Sequence, residues 1–153
     1  MNLTRNFTLA EFLVSQTAAR HGIDMSPPQY VIDNLRLLCV TCLQPIRQEA
    51  GSSLVITSGY RPPELNRLIG GSATSAHRFG RAADWRLVGW STSDAVDLVR
   101  SLDLVWDQLI LEFPESPRSW VHLGIAEDMP RQEMLTATRV DDKTVYLPGI
   151  VEV

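Results

Sequence analysis

Ser75-Ala76-His77-Arg78-Phe79-Gly80-Arg81-Ala82-Ala83-Asp84 is the stretch on which the reading of this chain turns. It sets two side chains with metal-binding atoms, His77 and Asp84, seven residues apart. Asp84 falls inside Ala82-Ala83-Asp84-Trp85-Arg86-Leu87, which the pattern predicts as a half-buried strand. Gly80 and the two alanines leave the backbone free to pass close to a site. A third candidate ligand is His122 in Trp120-Val121-His122-Leu123-Gly124, where strand alternation puts Trp120, His122 and Gly124 on one face. Two imidazoles and a carboxylate are a donor set that catalytic zinc uses, with three protein ligands and a fourth position left for water. Spacing alone leaves the alternative open that the two histidines are unrelated core or surface residues.

Outward from that stretch, the chain divides into helices first and strands later. Thr8-Leu9-Ala10-Glu11 is a capping box, predicting a helix from about Leu9 to Arg20 that Gly22 stops, with His21 as a helix-end cation. Ser26-Pro27-Pro28 opens a second helix that ends at Gly51; Ile32, Leu35, Cys39, Cys42 and Ile46 recur through it at three- and four-residue steps, which marks a buried face. Leu54-Val55-Ile56-Thr57 reads as a strand feeding a turn at Ser58-Gly59. Ser91-Thr92-Ser93-Asp94 caps a third helix reaching about Leu102. Asp107–Phe113 and Trp120–Ile125 flank a Pro-Glu-Ser-Pro-Arg loop and are expected as an antiparallel hairpin. Met134–Val140 and Thr144–Leu147 around Asp141-Asp142 predict a terminal hairpin within 134–148. The order implies an α+β fold with a mostly antiparallel sheet and flanking helices, in a single domain spanning 1–153.

Composition narrows the function classes. The 153 residues are 44% hydrophobic and 21% charged, which excludes disordered, collagenous and coiled-coil readings. A net charge of -4, with Lys143 the only lysine, argues against nucleic acid as a partner. Three histidines and two cysteines cannot build a four-Cys zinc ribbon or a disulfide framework, so a metal site must draw on carboxylates. Cys39 and Cys42 form a C-x-x-C inside a helical segment, where two reduced core thiols are expected. Met1–Asn6 holds no apolar core region and no window reaches 18 apolar residues, so neither a signal peptide nor a membrane span is expected. The reading is a soluble protein, monomeric, made in the cytoplasm.

The motif Ser75-x-His77-x-x-Gly80-x-Ala82-x-Asp84 resembles that of the zinc D-Ala-D-Ala carboxypeptidases and hedgehog-like peptidases, and Trp120-Val121-His122 is similar to their third-ligand strand. The branch it looks closest to is the compact phage-type peptidoglycan peptidases. Phe7-Thr8-Leu9-x-Glu11-Phe12, Leu43-x-Pro45-Ile46-Arg47, Thr57-Ser58-Gly59-Tyr60-Arg61, Leu65-Asn66, Gly70-Gly71 and Asp107-Gln108-Leu109-Ile110 also match, so the resemblance runs from about residue 6 to 124. It implies a hedgehog/DD-peptidase fold, Zn2+ held by His77, Asp84 and His122, and hydrolysis of a peptidoglycan stem peptide. Arg61 corresponds to an arginine that steadies substrate or the developing oxyanion, a role suited to a permanently charged planar donor. Ser75 either hydrogen-bonds substrate, orients His77 or shapes the turn, and Tyr60 is a candidate substrate contact beside Arg61.

The general base departs from the pattern. Several relatives carry an acid three residues before the last ligand histidine, where this chain has Ser119, which cannot take a proton near neutral pH. Glu112 is the expected base, since it ends the strand paired with that of His122 and alternates with Gln108 and Ile110. Glu115, Asp107 or no protein base at all are the weaker alternatives. Trp85, Trp90, Trp106 and Trp120 are read as core or site-wall residues. Both D-Ala-D-Ala carboxypeptidase and L-Ala-D-Glu endopeptidase activity fit, in an endolysin-like phage lysis or tail-associated enzyme, or a prophage product, that acts at the cell wall. The rival is a non-catalytic zinc module that binds wall peptide or a protein partner.

Overall fold

Period-2 alternation in four central strands sorts side chains onto two faces of one sheet, and that sorting positions everything else. The computed structural model describes residues 1–152. Strands β1 (Leu54–Ser58), β2 (Ala82–Leu87), β3 (Gln108–Glu112), β4 (Trp120–Gly124), β5 (Glu133–Val140) and β6 (Lys143–Pro148) form a six-stranded sheet in the order β1-β2-β4-β3-β5-β6. All neighbours run antiparallel except β3 and β5, which are parallel. The α+β class with a mostly antiparallel sheet is therefore as expected, and the parallel pair is the feature that local patterning does not announce.

On one face Ala83, Trp85, Leu109, Leu111, Val121 and Leu123 join Val31, Leu35, Leu38, Ile46, Val96 and Val99 of the helices in one buried apolar cluster. Each fully buried large side chain of this kind contributes about 1.5–3 kcal/mol. The helices are α2 (Gln29–Leu38), α3 (Gln44–Ala50) and α5 (Thr92–Ser101). The second predicted helix does run unbroken from Gln29 to Ala50, but through a π-turn at Cys39–Leu43. That turn lies just before Pro45, which has no N–H to return to the carbonyl four residues earlier. Cys39 and Cys42 are buried free thiols, and burial pushes Cys39 up to about 12.

The first predicted helix is two pieces. The capping box forms, with the Thr8 amide donating to Glu11 Oε2 at 2.6 Å, yet it starts only a 3-10 turn, Leu9–Phe12. Helix α1 (Gln16–His21) starts afresh at Ser15, whose Oγ accepts from the Ala18 amide. A second N-cap serine inside the segment offers the backbone an alternative to continuing the helix. Helix α4 (Pro63–Leu68), opened by Pro62-Pro63, and a 3-10 turn at Ala76–Phe79 were not predicted. Among the described residues no helix is long and apolar enough to cross a membrane.

Candidate metal centre

The opposite face of the sheet floors a cleft of about 1520 Å³. β2 carries Asp84 and β4 carries His122 directly opposite it in register. His77 comes from the 3-10 turn that precedes β2, and Gly80 closes that turn with φ 69°. A Cβ at Gly80 would stand 2.6 Å from the Val31 carbonyl oxygen, so only glycine lets the turn pack on α2 and deliver His77 to the cleft.

His77, Asp84 and His122 are each less than 9% exposed and form a group that could hold a metal ion. Asp84 Oδ1 lies 2.9 Å from His122 Nδ1 and 3.3 Å from His77 Nε2, and the two ring nitrogens are 3.3 Å apart. Tetrahedral ligands about 2.05 Å from zinc stand about 3.3 Å from one another, so the triangle already has the size the ion requires. The tautomer fits as well: His77 Nδ1 donates to the Gly59 carbonyl at 2.8 Å, and a carbonyl can only accept, which leaves Nε2 with its lone pair turned inward. Burial lowers the His77 pKa. Burial alone would raise Asp84, but His77 and His122 outweigh it and hold the carboxyl well below the ordinary range.

Arg61 leaves the Gly59-Tyr60-Arg61 segment, which is clamped by Tyr60 N–H to the Phe12 carbonyl and Arg61 N–H to the His77 carbonyl. Its Nη2 donates to Asp84 Oδ2 at 3.1 Å, and both Nε and Nη2 reach Ser58 Oγ. Asp84 is thus divided, Oδ1 toward the imidazoles and Oδ2 toward the guanidinium. Ser58 was not among the candidates, although it stands in the motif that contains Arg61.

Glu112 lines the same cleft and is 8% exposed. Burial, then the Asp84 charge, pushes its carboxyl up to about 7. The alternation that grouped it with Gln108 and Ile110 holds, since all three line the cleft. Ser119 has a different task from an acid. Its Oγ donates to the Glu112 backbone carbonyl at 2.8 Å and meets Thr92 Oγ1 at 2.6 Å, tying the start of α5 to the β3–β4 hairpin.

Other candidates lie elsewhere. Asp107 precedes β3, lines the far end of the cleft and is held by Arg131, with a contact of 2.8 Å. Glu115 accepts from Thr138 Oγ1. Ser75 lines the cleft, but the partner of His77 Nδ1 is Gly59 rather than its hydroxyl. Tyr60, expected at the substrate, is buried in the core and lines a separate cavity of about 370 Å³. Trp120 forms part of the cleft wall, with its ring 5.3 Å from that of Phe113.

A buried His-Asp-His set at the floor of an open cleft is the arrangement that catalytic zinc sites use. The Peptidase M15 family matches residues 5–123, and the chain belongs to that family of zinc-dependent, D-Ala-D-Ala carboxypeptidase-like peptidases. No curated protein matches the chain at a significant level.

Proposed function

We propose that the chain is one zinc peptidase domain that hydrolyses a peptide bond in bacterial peptidoglycan stem peptides, with His77, Asp84 and His122 as the metal ligands. The observation that carries this reading is the triangle of ligand atoms, 2.9 to 3.3 Å on a side, in a cleft that also holds Glu112 and Arg61. When bound, zinc supplies a Lewis acid that lowers the pKa of a bound water and polarises the scissile carbonyl.

The chain's own residues account for the remainder. Glu112 is the general base: its carboxylate takes a proton from the attacking water and returns it to the leaving amine. Arg61 faces the site with Nη1 unengaged among the described residues, a donor for the negative charge that develops on the carbonyl oxygen. Ser58 and Asp84 hold the guanidinium plane in place. Ser119 fixes the backbone at Glu112. The family setting supports a substrate in the cell wall, and a phage lysis or tail-associated role is part of the proposal.

The test is incubation of zinc-loaded protein with purified peptidoglycan, with and without chelator, followed by identification of new amino termini. New termini that disappear with chelator support the reading and identify the bond. Zinc binding at the site without cleavage would replace it with a wall-binding module.

A further inference from the structure

The row of side chains that crosses the cleft floor at Glu112 continues past the region the family shares. Trp120 pairs with Glu112, Glu112 with Ala137, and Ala137 with Tyr146, so the four stand on one face of the sheet. β5 and β6 follow residue 123, where the family match ends. Tyr146 lines the cleft and is 54% exposed. Ala137, the smallest side chain of the row, is wholly buried, so its larger neighbours close over it. Among the described residues the Tyr146 hydroxyl has no hydrogen-bond partner, and Leu135 and Ile110 line the same cleft.

Strand spacing gives the reach. Tyr146 is two strands from Glu112 and three from β4, or about 10 and 14 Å at about 4.8 Å each. It stands too far out to touch a bond held at the His-Asp-His set. An extended substrate advances about 3.3 Å per residue, so the ring meets it about three or four residues away.

We propose that Tyr146 is a substrate-binding residue whose phenol donates a hydrogen bond to a peptide carbonyl about three or four residues from the scissile bond, on the Glu112 side of the cleft. Burial, followed by the nearby charges of Glu112 and Asp84, raises its pKa, so the phenol remains a donor through neutral pH. The terminal hairpin is then part of the substrate site, supplied by this chain rather than by the shared family region. The inference rests on the peptidase reading for the scissile bond and the kinetic arm, whereas the binding arm needs only that the cleft takes a peptide.

The experiment compares wild type, Tyr146→Phe and Tyr146→Ala, each zinc-loaded and matched by circular dichroism. A soluble stem pentapeptide ending in D-Ala-D-Ala and the tripeptide lacking those two residues are the probes. Binding is read by calorimetry and turnover by amine release. For whichever probe wild type binds, Tyr146→Phe is expected to weaken affinity about fivefold, the worth of one hydrogen bond, and Tyr146→Ala more. Where that probe is cleaved, KM rises by the same factor and kcat stays within twofold. If wild type binds a probe but cuts neither, the peptidase reading fails while the affinity loss still supports Tyr146. Affinities within twofold of wild type in both variants overturn the assignment and leave the peptidase reading intact. A wild type that binds neither probe overturns both.

Discussion

Replacing Glu112 with Gln exposes the cost of keeping an acid in the cleft. Burial and Asp84 raise its carboxyl from the ordinary 4.5 to about 7, a gap equivalent to about 3 kcal/mol at about 1.4 kcal/mol per pH unit. The sign follows from which state holds the proton. Between pH 4.5 and 7 the folded protein keeps a proton that the unfolded chain has released, so this contribution to stability is whole below pH 4.5. It declines through that window and is gone above 7. Glutamine cannot ionise and escapes the loss. In chelator, Glu112→Gln is therefore expected to match wild type near pH 4 and to exceed it by up to about 3 kcal/mol at pH 8. For a domain of this size that is several degrees in Tm. Urea and thermal unfolding at pH 4, 6 and 8 measure the difference. Zinc should shrink it, because a dication beside the carboxylate lowers its pKa again. The same variant should retain zinc and lose turnover by about 100- to 10,000-fold. An advantage equal at pH 4 and pH 8 refutes the burial argument, and near-normal turnover with zinc bound removes Glu112 from the base role.

Three further outcomes are expected. Asp84→Asn removes the negative charge of a candidate ligand that also pairs with Arg61, so zinc affinity measured by equilibrium dialysis should fall by more than the roughly 10- to 100-fold that an outer partner costs; wild-type affinity would contradict the ligand set. Gly59→Ala places a Cβ 2.5 Å from the Phe12 carbonyl oxygen, and the overpacking should cost about 1–3 kcal/mol in urea unfolding; an unchanged midpoint would show that the clamp yields freely. Cys39 and Cys42, buried and with raised pKa values, should react with a disulfide reagent at pH 8 only once the protein unfolds, and labelling of the native protein within minutes would count against their burial.

The site is more legible in the residues than the path of the chain around it. Alternation through Gln108–Glu112 and Trp120–Gly124 correctly placed Ile110, Glu112 and His122 on one face, because side chains in strands reverse at every residue whatever the neighbour strand is. Cap signals at Ser91 and Thr8 were also read correctly, since capping is local. They did not reveal that Ser15 restarts the first helix or that Tyr60 turns into the core, because both depend on what packs against the backbone. Ser119 could be recognised as a missing acid but not as the hydroxyl that anchors the Glu112 carbonyl.

By itself, then, the amino-acid order singled out His77, Asp84 and His122 as candidate ligands, through a motif that resembles a peptidase family, and it determined the face each strand residue would occupy and the hairpin at the end of the chain. The last two follow from residue chemistry and from periods of two to four residues. The tertiary structure decided which strands become neighbours. Pairing β5 parallel to β3 sets Tyr146 on the same row as Glu112, 34 residues apart in sequence. Backbone hydrogen-bonding groups are alike in every strand, so alternation names a face but not a partner, and only the packed whole selects one.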